Sequence, residues 1–344
     1  MRESREHQDP ADKKIFCTTV RRDGKCKMGR EKPAGRERTD RRCSGTVIPE
    51  RGLPLLQGRR APPERRFTPC LLCGRDDPAQ VAVQNGYRVV RCGGCGLVYV
   101  TPRPAAEDLP ALYAQYHGRN GGNEAGWNRL MDAVFREAAD RLDSETNGSR
   151  HRRLLDVGCG YGGFLSLMRD RGWDAEGVDP SPATVAAASA KGLAVRLGTL
   201  EGFPCSEGAY RAITLFYVLE HLPDPMSALR KAFALLEPGG TLLVRVPDTT
   251  PIVRLLHPLG LGKTLYDPPF HLYDFPPRVL ERMLVAAGFE KIRTFPGRNT
   301  VPSRIGPRVA TTLFGALARA VFAASGGRAL LPGVSKTTIA RKSL

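Results

Sequence analysis

From Arg152 onward, short apolar runs alternate with stretches in which apolar residues recur every three or four positions, the pattern of strands alternating with helices. The runs predict strands at 153–157, 175–179, 194–198, 211–217, 240–247, 289–295 and 336–342, with helices between most of them. That alternation is the mark of a parallel α/β sandwich whose ligand groups gather at the carboxyl ends of its strands. Ahead of the first strand, Leu109 to Tyr116 reads as a short helix carrying Tyr113, Tyr116 and His117, followed by a Gly-Asn loop and an amphipathic helix from about Glu124 to Leu142. This segment, 105–150, either covers a ligand as a lid or packs the N-terminal region against the main domain through its tyrosines.

Two insertions interrupt the pattern. Residues 248–276 precede a helix at about 277–288, and 296–335 separate the last two strands. Within the second, Val309 to Ala324 is apolar on most of its circumference, with Leu313, Leu317, Val321 and Phe322 at helical spacing and Arg319 interrupting. It is too short to span a bilayer. The open readings for 309–324 are burial against the domain or a dimer partner, and a peripheral membrane or lipid-substrate contact.

Residues 67–104 show a different texture. Cys70-Leu71-Leu72-Cys73 and Cys92-Gly93-Gly94-Cys95 are two Cys-x-x-Cys knuckles with 18 residues between them, the spacing of a four-thiolate zinc site. A small hairpin lies between the knuckles, Gly96 to Val100 forms a last strand, and Thr101-Pro102-Arg103-Pro104 ends the unit. With four protein thiolates there is no open coordination position, so the expected role of Cys70, Cys73, Cys92 and Cys95 is to hold a structural Zn²⁺. Residues 1–66 mix Arg, Lys, Glu, Pro and Gly without a sustained period and are expected to be a disordered basic tail. A basic arm for nucleic acid or an anionic surface, and a translation start assigned too far upstream, are its alternatives. Cys17, Cys26 and Cys43 within it have no paired spacing.

Charge changes this picture little. The 344 residues carry a net charge of +17, of which residues 1–66, with 19 Lys or Arg against 10 Asp or Glu, hold +9. The remaining +8, taken as spread over 278 residues, argues against a nucleic-acid surface, which gathers its basic residues on one face. The chain has no run of 18 apolar residues and its basic beginning has no apolar core, so neither a membrane span nor a secretory signal is expected. Nine cysteines, four in metal-ligand spacing, fit a reducing compartment, and the cytoplasm is the expected one.

The candidate chemistry starts at Leu154-Leu155-Asp156-Val157-Gly158-Cys159-Gly160-Tyr161-Gly162-Gly163, a strand, a glycine hinge and a helix start suited to a nucleoside cofactor. Glycines 158, 160 and 163 also fit a dinucleotide fingerprint, with Asp179 at the right distance for a ribose. Asp156 discriminates, because a carboxylate just before the first glycine would repel a pyrophosphate, whereas S-adenosylmethionine brings a sulfonium and an ammonium. Asp179 ends the second strand, Pro180 and Ser181 shape the turn after it, and Thr199 and Leu200 follow the third strand where they would flank an adenine.

These stretches, with Leu219-Glu220-His221-Leu222-x-Asp224-Pro225 and Leu236-x-Pro238-Gly239-Gly240, are similar in order and spacing to the motif series of class I S-adenosylmethionine-dependent methyltransferases. The knuckles followed by Gly-Leu-Val-Tyr-Val-x-Pro-Arg-Pro resemble the bacterial subgroup with an N-terminal zinc ribbon, many members of which tailor sugars, polysaccharides or secondary metabolites. The resemblance covers about 67–344. It implies a seven-stranded Rossmann-like sandwich over 151–344 whose last two strands form an antiparallel edge hairpin. By the same resemblance Asp156, Gly158, Cys159, Gly160, Asp179, Pro180, Thr199 and Leu200 border the cofactor, while Phe216 and Tyr217 border its methionine end and the acceptor.

Glu220-His221 is similar to the pair that, in quinone O-methyltransferases, joins an earlier carboxylate in binding a divalent metal. Here the earlier position is Tyr217, so no catalytic metal is expected. Asp267-Pro268-Pro269-Phe270 resembles the base-holding motif of adenine-N6 methyltransferases but follows the fifth strand, away from the reacting methyl. His271 in the insert and His221 are the candidate bases for an acceptor hydroxyl, with bracing of the insert the alternative for His271. The expected function is methyl transfer to a small-molecule or sugar acceptor, on O or C. The alternatives are an RNA or protein methyltransferase using the basic tail, and a non-catalytic zinc-ribbon binding module.

Overall fold

The structure, a computed structural model, describes residues 65–109, 112–113, 124–146, 151–204, 206–256, 265–300, 305–331 and 335–344. The basic tail through residue 64, with Cys17, Cys26 and Cys43, lies outside the described residues, as do Tyr116, His117 and the loop at 118–123. In chain order the strands of the N-terminal part are β1 (Arg65–Arg66), β2 (Pro78–Gln84), β3 (Tyr87–Cys92), β4 (Val98–Val100) and β5 (Arg103–Pro104). Helix α1 (Glu124–Glu145) then leads into β6 (Arg153–Val157), α2 (Gly163–Asp170), β7 (Asp174–Asp179), α3 (Pro182–Ser189), β8 (Ala194–Leu197), β9 (Tyr210–Phe216), α4 (Pro225–Leu235) and β10 (Leu236–Pro247). The chain ends through α5 (Thr250–Leu256), β11 (Tyr273–Asp274), α6 (Pro277–Ala286), β12 (Glu290–Phe295), α7 (Ile305–Ala324) and β13 (Ser335–Arg341).

The central sheet has seven strands in the order β12-β13-β10-β9-β6-β7-β8. Strands β6 to β10 pair in parallel, and β13 runs antiparallel to both β10 and β12, the edge hairpin that the motif series implies. Successive residues of β6 enter opposite layers: Leu155 and Val157 join a core with Ile213, Leu215 and Val244, while Leu154 joins Phe164, Phe216 and Leu243. Helix α1 buries Met131, Val134, Phe135, Ala138 and Leu142 in the second layer, where the Phe135, Phe164 and Phe216 rings meet edge to face or tilted at 4.8–5.4 Å. Each such side chain contributes about 2 kcal/mol of burial, so α1 is a core element rather than a detachable cover.

Helix starts follow local chemistry. In Ser181-Pro182 and Asp224-Pro225 the first residue caps and the second opens the helix: Ser181 Oγ accepts from Thr184 N at 3.5 Å and Asp224 Oδ1 from Ser227 N at 3.0 Å. Helix α7 begins at Ile305, four residues before the apolar pattern, because Gly306-Pro307 sits in its first turn, where proline is tolerated.

The second sheet, β11-β4-β3-β2, holds the knuckles, and its fourth strand comes from the 248–276 insert, 173 residues after β4. Nothing in the residue pattern marks two residues of β11 as a strand. Their pairing is non-local: Tyr273 opposes Tyr99, and Asp274 opposes Val98. Asp274 also accepts from the backbone N–H groups of Thr249 and Thr250 at 2.7 and 2.9 Å, which caps α5.

Candidate active site

The glycine loop sits at the carboxyl end of β6. Gly158 N–H and Cys159 N–H donate to Val178 O at 2.8 and 3.3 Å, turning the chain over β7. Gly158 has φ +70°, and a Cβ there would overlap Val218 Cγ2, so only glycine fits. At Gly160, φ +52°, a Cβ would meet nothing within 4 Å, which makes this the open face of the loop. Cys159 turns inward against Gly177, and burial pushes its thiol well above the usual range, so its backbone is what the loop presents.

The two sequence-predicted carboxylates organise the loop. Asp179 is buried; its Oδ2 accepts from Gly160 N at 2.8 Å, and its Oδ1 accepts from Ser181 N at 2.9 Å and Thr184 Oγ1 at 2.7 Å. One side chain thereby fixes the loop after β6 and the start of α3, with Pro180 in the turn between. Asp156 is also buried and accepts from Thr214 Oγ1 of β9 at 2.6 Å; burial first, with Asp179 nearby, pushes it up to about 7. Beyond β8, Thr199 is exposed while the Leu200 side chain is part of the core, leaving its backbone for a ligand.

At the tip of β9, Phe216 faces the aromatic core and Tyr217 turns with φ +57°. Its hydroxyl receives Arg245 Nε at 2.9 Å and lies 3.0 Å from Ser335 Oγ, while buried Arg245 also donates to Thr337 Oγ1 at 2.8 Å and Arg298 O at 2.7 Å. Tyr217 is thus bound to the β10–β13 side of the sheet.

Four residues on, Glu220, His221 and His271 come together, their nearest ligand atoms all within 4.8 Å of one another. The sequence set Glu220 beside His221 as similar to a metal-binding pair; Glu220 is fully buried, and neither of its carboxyl oxygens has a hydrogen-bond partner among the described residues. Burial pushes it up to about 8. His221 Nδ1 lies 2.9 Å from Phe270 O; a carbonyl only accepts, so Nδ1 is the donor of this contact. The His271 ring stands 4.9 Å from that of His221, and burial, aided by His221, drives it down to about 3, so it is neutral.

Leu272 fixes this meeting: its N–H donates to Glu220 O at 2.8 Å and its carbonyl accepts from Val100 N at 2.9 Å, tying the β9 tip to the ribbon through the insert. Tyr113 adds its ring, 5.4 Å from His221, and donates to His221 O. Within the 105–150 segment Tyr113 packs on His221 and on the core that includes the ribbon, and α1 belongs to the second core layer.

The knuckles repeat one geometry. Cys70 N donates to Arg75 O and Gly74 N to Cys70 O, at 2.9 and 2.7 Å; Cys92 N donates to Leu97 O and Gly96 N to Cys92 O, at 2.9 and 3.0 Å. The sulfur pairs Cys70–Cys95 and Cys73–Cys92 are 3.3 and 3.4 Å apart. Tetrahedral thiolates about 2.3 Å from a zinc would be spaced by about 3.8 Å, so a small expansion accommodates the ion. Burial opposes ionisation of Cys92, but the Cys95 amide and the Cys73 sulfur outweigh it and lower it to about 7.

Part of the chain that holds this site is similar in sequence to known proteins. Residues 127–294 match the family described as Methyltransferase domain. A Mycolicibacterium smegmatis protein named "Probable S-adenosylmethionine-dependent methyltransferase" is 30% identical over 166 residues, 48% of this chain and 59% of the relative. A ubiquinone biosynthesis O-methyltransferase of Xanthomonas campestris is 32% identical over 133 residues, 36% of this chain and 56% of the relative. The chain therefore spans less than two thirds of the length of these relatives. A solved S-adenosylmethionine-dependent methyltransferase from Archaeoglobus fulgidus aligns with a TM-score of 0.45 at 19% identity, over 67% of this chain and 99% of that one. The matched segment, residues 127–294, holds the glycine loop, the β9 tip and the strands from β6 to most of β12, and is similar to a methyltransferase domain.

Proposed function

We propose that the chain transfers the methyl group of S-adenosylmethionine to a hydroxyl of a small-molecule or sugar acceptor. The observation that carries this reading is the placement of two unlike sites on neighbouring strand tips: a glycine loop with an open face at Gly160, and the His221–His271 imidazole pair after β9. When bound, the donor supplies an electrophilic methyl on sulfur. The loop backbone and the Asp179 bracing hold its nucleoside end, and an acceptor oxygen placed in line with that methyl is the nucleophile. His221 Nε2 takes the acceptor proton, and neutral His271 beside it keeps the pair from starting with two positive charges. The names of the Xanthomonas relative and its kin favour oxygen over carbon as the atom methylated.

The same reading assigns the four thiolates a structural Zn²⁺ and the ribbon a positioning role, since β11 carries His271's neighbour Leu272 into the ribbon sheet. Metal analysis of the purified chain should give one zinc per molecule, and Cys92→Ser should lower thermal stability by about 2–5 kcal/mol together with loss of the metal. Zinc retained in that variant at full stability would remove the assignment. For the reaction, the chain is incubated with methyl-labelled donor and, separately, hydroxylated small molecules and sugars, total RNA, and protein. Label in the small-molecule fraction supports the reading; label confined to RNA, falling with salt and with removal of residues 1–64, overturns it.

A further inference from the structure

Helix α7 attaches to the domain by a narrow face. Ala318 is buried, Phe322 packs against the layer that holds Phe164 and Phe216, and Asn299 Nδ2 donates to Thr311 O at 2.6 Å. The opposite face is apolar and in water: Ile305, Val309, Leu313 and Leu317, four residues apart, are 81%, 52%, 66% and 54% exposed, and exposed Ala316 and Ala320 extend the row. Arg308 and Arg319 are eleven residues and thus about three turns apart, so they share one edge of the helix. A surface helix of a self-contained domain has the reverse arrangement.

The charge around this helix is one-sided. Residues 291–344 contain ten Lys or Arg and no Asp or Glu, while 67–290 contain 23 Lys or Arg against 25 Asp or Glu. The positive charge beyond the N-terminal tail is therefore concentrated here and not spread, as composition alone implied. Arg293, Lys336 and Arg341 are engaged with Asp or Glu of the domain, whereas no ion pair among the described residues engages Arg308, Arg319 or Arg328. A second copy meeting this face would bring the same acid-free, basic edge against it. An anionic bilayer offers both an apolar boundary for the leucine row and negative headgroups for the arginines.

We propose that α7 lies in the plane of an anionic membrane surface, with Val309, Leu313 and Leu317 in the acyl boundary and Arg308, Arg319 and Arg328 among the headgroups. No helix of the described residues is long and apolar enough to cross a membrane, which matches a helix that lies on one. The surface is independent of the acceptor's identity.

The test is co-sedimentation of the full chain with vesicles of phosphatidylcholine alone and of phosphatidylcholine mixed with phosphatidylglycerol. Binding is expected to the mixed vesicles, weakening as salt rises. The double substitution Leu313→Glu and Leu317→Glu, at exposed positions, should lower that binding by roughly tenfold or more with an unchanged melting temperature. The basic tail is common to both chains, so the difference reads α7 alone. In a second measurement, Leu317→Trp should shift its emission to the blue only with the mixed vesicles. Equal binding of the Glu variant and the original, no binding by the original, or light scattering that shows a dimer dissociated by the Glu substitutions would each overturn the proposal.

Discussion

The carboxyl ends of β6 and β7 and the segment after β9 treat their buried acids in opposite ways. On the cofactor side Asp179 accepts three hydrogen bonds, from the loop after β6 and from the start of α3, and Asp156 accepts one from Thr214 of neighbouring β9. On the acceptor side Glu220 is as deeply buried and has no partner among the described residues, although two imidazoles stand beside it. The first arrangement is a scaffold whose carboxylates shape backbone. The second keeps an unmet polar demand next to titratable rings, at the place where we propose that the acceptor gives up its proton.

The largest expected effect separates these roles. His221→Ala should lower turnover by about 10²–10⁴-fold while leaving donor affinity within about twofold, because the lost group acts on the acceptor proton. His271→Ala should have a smaller effect on turnover, acting through His221. If both variants turn over like the original chain, the acceptor side is structural and the contrast fails.

Next comes the loop. Gly158→Ala forces a Cβ into Val218 at a positive φ and should cost about 2–3 kcal/mol of stability together with donor binding. Gly160→Ala meets open space but strains a left-handed backbone at φ +52°, costing about 1–2 kcal/mol, and should weaken donor affinity by about tenfold by occupying the face the donor needs. Equal donor affinity in Gly160→Ala and the original chain would mean that the open face is not where the donor lies.

A further effect is a slope with pH. Glu220 holds its proton to about pH 8 in the folded chain but releases it near 4.5 when unfolded, so folding stability present at low pH is lost as pH rises through that window. Asp156, raised to about 7, adds in the same direction. Denaturant melts between pH 5 and 8 should show stability falling by up to about 1.4 kcal/mol per pH unit for each group, and Glu220→Gln should remove one share of the slope. A slope unchanged in that variant would mean Glu220 ionises freely.

The contrast also explains what the sequence revealed. The seven strands fell within a few residues of the predicted ranges, because each β-α unit is a local pattern of apolar runs, glycines and Ser-Pro or Asp-Pro caps. Asp179 was visible at a strand end for the same reason. The partnership of Glu220 and His271 was not, since it depends on Leu272 joining residues about 50 and 170 positions apart, and β11 is too short to have a period. Likewise the exposure of the α7 leucines is a fact of packing, invisible to a pattern that only records that they are apolar.

Calorimetric titration of the full chain with S-adenosylmethionine and with S-adenosylhomocysteine tests the central claim most directly. The account predicts one site for each ligand, weakened by Gly160→Ala and unaffected by His221→Ala. No heat with either ligand, or equal loss of binding in both variants, would contradict it.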